Sequence, residues 1–143
     1  MILPDVNVLV YAFRREAEDH DRYANWLNEA RVTTEDLALV DTVLTGFVRV
    51  VTNPRVFADP APTLDALSFV EQLRASPAAR ALPSTAAAWD RMRCLADDDR
   101  FVRGNLVPDA WLAALALTAG ARVATSDAGF GRFPDLDWFD PVR

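Results

Sequence analysis

The first thirteen residues, MILPDVNVLVYAF, restrict the fold more than any other stretch of this chain. Met1, Ile2 and Leu3 form an apolar lead of strand length, Pro4 and Asp5 interrupt it, and from Val6 the apolar residues resume over a helical length. A strand that ends on a carboxylate and turns at once into a helix is the opening unit of an open α/β sheet. In such sheets ligands bind in the crevice beyond the carboxyl ends of the strands, so Asp5 and Asn7 stand where a bound ion or phosphate would be faced.

The rest of the chain repeats this alternation. Residues 6–13 and 19–30 read as helices, the second amphipathic with Tyr23, Trp26, Leu27 and Ala30 on one face. Leu37 to Val40 is a short apolar run of the kind found in buried parallel strands, and Asp41 and Thr42 are placed to cap a helix through Val43, Phe47 and Val51 that Pro54 ends. Thr63 is the candidate cap of a helix whose Leu64, Leu67, Val70 and Leu73 share a face. ARALP is a strand candidate, and Ser84 precedes a helix carrying Ala88, Trp89, Met92 and Leu95. Asp97, Asp98 and Asp99 read as a solvated loop. A helix then runs from about Pro108 to a stop at Gly120, followed by strands at ARVAT and LDWF. Short strands alternating with helices predict an α/β domain with a mainly parallel sheet, and 143 residues suit a single domain over 1–143 with one core.

Composition removes several kinds of chemistry. No apolar run approaches the roughly 18 residues that cross a bilayer, and no basic segment precedes the first apolar stretch, so the expectation is a soluble, cytoplasmic protein with no membrane contact. The single Cys94 excludes an internal disulfide and a cysteine-cluster zinc site, and its neighbours Met92 and Leu95 suggest a packed thiol. His20 is the only histidine, which excludes a histidine-pair ribonuclease mechanism within one chain. A net charge of −6 argues against loose binding to bulk nucleic acid, which depends on many cation–phosphate contacts, but leaves room for a specific site. All 15 basic residues are arginine; that suits bidentate phosphate contacts, although GC-biased coding is the simpler explanation.

Two later acidic residues repeat the placement of Asp5. Asp109 stands in the first turn of GNLVPDAWLAALAL, and Asp127 just past the strand that ends near Thr125. Each has a local explanation: Asp109 complements a helix dipole and Asp127 precedes a glycine turn. Asp5 has none, because a carboxylate between apolar runs is partly buried without a partner. If the three converge, two carboxylates about 4 Å apart repel by roughly 4 kcal/mol at an effective dielectric of 20, and a positive group must lie between them. An all-oxygen donor set suits Mg²⁺ or Mn²⁺, which keep several waters and bind phosphate oxygens.

Four segments, LPDVNVLVYAF, GFVRVVTNPRVF, GNLVPDAWLAALA and VATSDAGFGRFPDLDW, occur in the order and at the separations of the PIN domain, and the chain resembles its VapC-like toxins over essentially its whole length. The resemblance implies a three-layer α/β/α fold with a mainly parallel sheet and a Mg²⁺- or Mn²⁺-dependent endoribonuclease acting on RNA. It also implies a homodimer held inactive by a small VapB-like antitoxin. By position, Asp5, Asp109 and Asp127 correspond to the family's metal-binding catalytic carboxylates, with Asn7 and Thr125 beside them. Arg49, Arg55 and Arg103 lie near the motifs as candidate phosphate contacts. The family's further glutamate falls on Gly46, with Asp41 and Thr45 as nearby substitutes. The apolar faces of the Tyr23/Trp26 and Leu64/Leu73 helices are candidate antitoxin grooves. Two other readings stand beside the toxin. One is a PIN-fold module that binds RNA or antitoxin without turnover. The other is a phosphatase-like enzyme with Asp5 as nucleophile, which Asn7 and the lack of lysine disfavour.

Overall fold

The computed structural model describes residues 1–143. Five short strands form one sheet: β1 (Ile2–Pro4), β2 (Leu37–Leu39), β3 (Ala79–Ala81), β4 (Arg122–Ala124) and β5 (Trp138–Phe139). Their order is β3-β2-β1-β4-β5, and every pairing is parallel. From β1 the chain steps to β2 and then β3, then returns across the sheet to β4 and β5 on the far side of β1. The direction reverses between β1 and β4, so a crevice opens beyond their carboxyl ends.

Parallel strands need long crossovers, and six helices supply them: α1 (Val6–Phe13), α2 (His20–Ala30), α3 (Asp41–Val51), α4 (Thr63–Arg74), α5 (Ala86–Asp98) and α6 (Val107–Ala119). α1 packs against α2 and α3, α3 against α4, and α5 against α6. Right-handed crossovers place the helices of the outward and the returning connections on opposite faces, which produces the three-layer α/β/α arrangement. The core between the layers includes Leu3, Val8, Leu9, Phe47, Leu115 and Val123. α6 is apolar on nearly all sides, with Ala110 and Leu112 to Ala116 all buried; it stops at Gly120, in the left-handed conformation at φ 65°. No helix is long and apolar enough to cross a membrane.

Several local expectations are corrected. Asp41 and Thr42 lie inside the first turn of α3, whose N-cap is Val40 with no side-chain hydrogen bond. Pro62 rather than Thr63 precedes α4, and Thr85 rather than Ser84 caps α5, accepting from the Ala88 amide at 3.1 Å. Ser84 and Thr85 are equivalent cap candidates by type, and only the helix register separates them. On α4 the buried stripe is Ala66, Val70 and Leu73, while Leu64 and Leu67 face outward. Pro4 continues β1 instead of breaking it. Asp97 and Asp98 finish α5, and Asp99 binds Arg132 at 2.9 Å, fastening the end of α5 to the turn after β4. Cys94 is exposed on α5 rather than packed.

Candidate metal centre and cleft

The crevice at the β1/β4 reversal is a cleft of about 1050 Å³, and Asp5, Asn7, Asp109 and Asp127 all line it. Asp5 follows β1 and is only 8% exposed. Both of its oxygens are held: Oδ1 accepts from the Val6 amide at 2.7 Å, and Oδ2 accepts from the Thr125 hydroxyl at 2.9 Å. Its own amide donates to the Ala124 carbonyl at 2.9 Å, so the carboxylate is referred to both central strands.

Thr125 is the junction of this side of the site. Its hydroxyl donates to Asp5 and accepts from Asn7 Nδ2 at 3.2 Å and from the Asp127 amide at 3.0 Å. Asn7 Oδ1 in turn accepts from the Ser126 amide at 3.3 Å. At 0% exposure Thr125, expected as a substrate contact, lies behind the cleft surface, where its hydroxyl orients Asp5, Asn7 and Asp127. Asp127 is exposed, and its Oδ1 accepts from the Gly129 amide at 2.7 Å. A Cβ on Gly129 would lie 2.8 Å from that oxygen, which is why the turn after Asp127 carries glycine.

Asp109 enters from the opposite wall, in the first turn of α6, and makes no hydrogen bond or ion pair. Burial, then the charges of Asp5 and Asp127, push its carboxyl up to about 6. Burial also raises Asp5, against the lowering effect of its hydrogen bonds from Thr125 and Val6, and Asp127 adds to the rise. The three carboxylates therefore sense one another across one cleft, and no arginine is paired with any of them. As they lie, no three acidic, histidine or cysteine side chains close into a compact metal cage. An open all-oxygen set with like charges facing each other suits a hard divalent cation that retains waters.

The α3 wall presents Thr42, Thr45, Gly46 and Arg49 to the cleft. Arg49 is exposed there with no ion-pair partner. Arg55 and Arg103 are not part of the lining: their neighbours Val56 and Gly104 are, while Arg103 sits 5.9 Å from the Phe101 ring. Asp41 also stays outside, and the Thr45 hydroxyl donates to the Asp41 carbonyl at 2.8 Å. His20 binds the Tyr11 carbonyl at 2.9 Å as a helix-packing contact. The expected groove on α2 is closed, because Tyr23 and Leu27 are buried and Trp26 packs on Phe139. Asn105 and Trp111 also line the cleft and were missed in the sequence, where the spacing of two between Asp109 and Trp111 does not put them on one helix face.

The PIN domain family profile matches residues 2–136. Ribonuclease VapC43 of Mycobacterium tuberculosis is 44% identical over 142 residues, spanning 99% of this chain and 96% of its own length. Ribonuclease VapC33 of the same species is 34% identical over 143 residues, spanning 100% and 99%. Among solved structures, VapBC2 from Rickettsia felis bound to a promoter DNA fragment superposes with a TM-score of 0.71 at 20% identity, covering 97% of this chain and 98% of that one. VapBC-1 from nontypeable Haemophilus influenzae gives 0.70 at 17% identity, with full coverage of both chains at 100%. At such identities the structures speak for the fold. With the sequence relatives and the switch-point cleft beside them, the conclusion is that this chain belongs to the PIN domain family, on its VapC-like branch.

Proposed function

We propose that this chain is the toxin of a toxin–antitoxin pair, an endoribonuclease that hydrolyses RNA phosphodiester bonds with Mg²⁺ or Mn²⁺. The observation that carries the reading is the convergence of Asp5, Asp109 and Asp127, from three separate elements, on one cleft where no arginine is paired with any of them. The naming of full-length relatives as ribonucleases supports the substrate class.

Asp5, Asp109 and Asp127 would hold the ion, which supplies activation of a water and polarisation of the phosphoryl group. The chain's own residues do the rest. Thr125 and the Val6 amide keep the Asp5 carboxylate fixed before substrate arrives, and Asn7 ties the segment after β4 to α1. Pre-organisation of this kind lowers the barrier because no reorganisation is needed during reaction. Arg49 holds a substrate phosphate across the cleft, a contact that positions RNA without reading its sequence. An antitoxin of the VapB type is the proposed partner, supported by the VapBC complexes that share the fold. Its apolar contacts would fall on the cleft wall at Val50, Val56 and Phe57 and on the exposed Leu64 and Leu67.

The test is cleavage of total and transfer RNA by antitoxin-free protein in Mg²⁺ or Mn²⁺ against EDTA, beside Asp109→Ala. Cleavage should require both the metal and Asp109 and leave 5′-phosphate and 3′-hydroxyl ends. Products carrying 2′,3′-cyclic phosphate would overturn the mechanism, since they require the ribose hydroxyl as nucleophile. Gly46 at the family's glutamate position favours a second reading, an RNA- or antitoxin-binding module without turnover. RNA affinity with no metal-stimulated cleavage would select it.

A further inference from the structure

We propose that Gly46 is a positioning residue, whose missing side chain lets α3 approach the first turn of α1 and leaves the Val6 amide where it anchors Asp5. The inference rests on reading the cleft as the hydrolytic site. Glycine weakens a helix interior relative to alanine, and α3 has no side-chain cap to compensate. A glycine held at such a position calls for a local reason.

The contact supplies one. A Cβ on Gly46 would lie 3.2 Å from Val6 Cγ2, closer than the roughly 3.5–4.0 Å of a comfortable carbon–carbon contact. Valine is β-branched and restricted at χ1, so its methyl turns aside only at a cost even in the first turn of α1. Part of the displacement therefore passes to the Val6 backbone. That backbone carries the amide that donates to Asp5 Oδ1 at 2.7 Å, one of the two anchors of the carboxylate; Thr125 is the other. A side chain at position 46 therefore acts on Asp5 through Val6 without touching it. On this view Gly46 is a packing choice tied to Val6, and not merely a seat from which a fourth carboxylate has been lost.

The experiment compares wild type, Gly46→Ala, Val6→Ala and the double variant as antitoxin-free, metal-free protein. Its readouts are the Val6 amide shift and exchange rate, the Asp5 carboxyl carbon shift and the thermal midpoint, with RNA cleavage measured separately in Mn²⁺. Gly46→Ala should leave the thermal midpoint little changed, because the gain in helix propensity offsets the tightened contact with Val6, while shifting both resonances. It should lower kcat about tenfold with KM little changed, as expected for a catalytic group misplaced by a fraction of an ångström. In the Val6→Ala background the same Gly46→Ala change should move neither the resonances nor kcat. Resonances that stay still in Gly46→Ala, or that move equally with and without the Val6 methyls, overturn the proposal whether or not the protein cuts RNA. Wild-type protein that cuts no RNA while the resonances behave as stated counts against the ribonuclease reading alone. Gly46→Glu should also cleave more slowly than wild type; faster cleavage would identify a vacant ligand seat and overturn the packing role.

Discussion

The two walls of the cleft are built on opposite plans. On the sheet side, Asp5, Asn7, Thr125 and Asp127 bond to one another and to nearby amides, so nearly every polar group has a partner before any ligand arrives. On the helix side, Asp109 makes no hydrogen bond and Arg49 makes no ion pair, although both line the same cleft. A satisfied network in a low-dielectric setting is rigid and costly to disrupt, whereas an unpaired charge responds to whatever enters. The sheet wall accordingly determines where chemistry takes place, and the helix wall supplies the groups whose energies change on binding.

The largest expected effect tests the helix wall. Asp109→Asn should reduce cleavage by at least about a hundredfold, the scale of losing one preorganised electrostatic group, while the thermal midpoint of metal-free protein rises because a repelled charge is gone. Loss of activity together with loss of stability would place Asp109 in the scaffold and break the contrast. Thr125→Val tests the sheet wall and should do the reverse, lowering stability by about 1–3 kcal/mol as Asp5, Asn7 and the Asp127 amide lose a buried partner. Denaturant unfolding measures it, and a variant as stable as wild type would show that the network is not what holds this wall.

A smaller effect concerns pH. The folded Asp109 carboxyl lies at about 6, above its ordinary 3.8, so between those values the folded state binds more protons than the unfolded state. Stability of metal-free protein should therefore fall as pH rises from about 4 through 6, with the direction of Asp5 adding to the same trend. Thermal melts across that window check the sign. Asp109→Asn should flatten the profile, and added Mn²⁺ should raise the midpoint more at pH 7 than at pH 5. The smallest effect belongs to Arg49→Ala, which should raise KM several-fold and reduce the salt dependence of RNA binding with kcat and stability nearly unchanged. A kcat defect of the size expected for Asp109→Asn would move Arg49 from positioning into the reaction itself.

Much of this organisation was legible in the sequence, for reasons that differ by element. α1 and α6 were readable because their apolar runs are long and their ends carry Asp5, Pro108 and Gly120 as stops. The cap of α5 was misplaced because Ser84 and Thr85 can each cap a helix and the choice depends on how the helix seats on its neighbours, whereas α4 starts at Thr63 itself, behind a proline that offers no side-chain cap. Leu64 and Leu67 were read inward because a periodic stripe has two possible edges, and the smaller Ala66 is the residue that fits the close packing beneath α4. The arginines divided for a similar reason. Position along the chain brings Arg49, Arg55 and Arg103 near the motifs, but only Arg49 projects from a helix that faces the cleft.

By itself the sequence determined an alternating α/β chain with carboxylates at the ends of its first and fourth strands and at the start of its last helix, because apolar periodicity and turn chemistry are local properties. The tertiary structure alone decided that these carboxylates meet. The strand order that returns across β1 brings residues 5 and 125 within a hydrogen bond, and no local rule specifies that closure over 120 positions. It also decided that Thr125 is a buried junction and Asp109 an unpaired charge. Burial and the company of other charges depend on where distant segments pack.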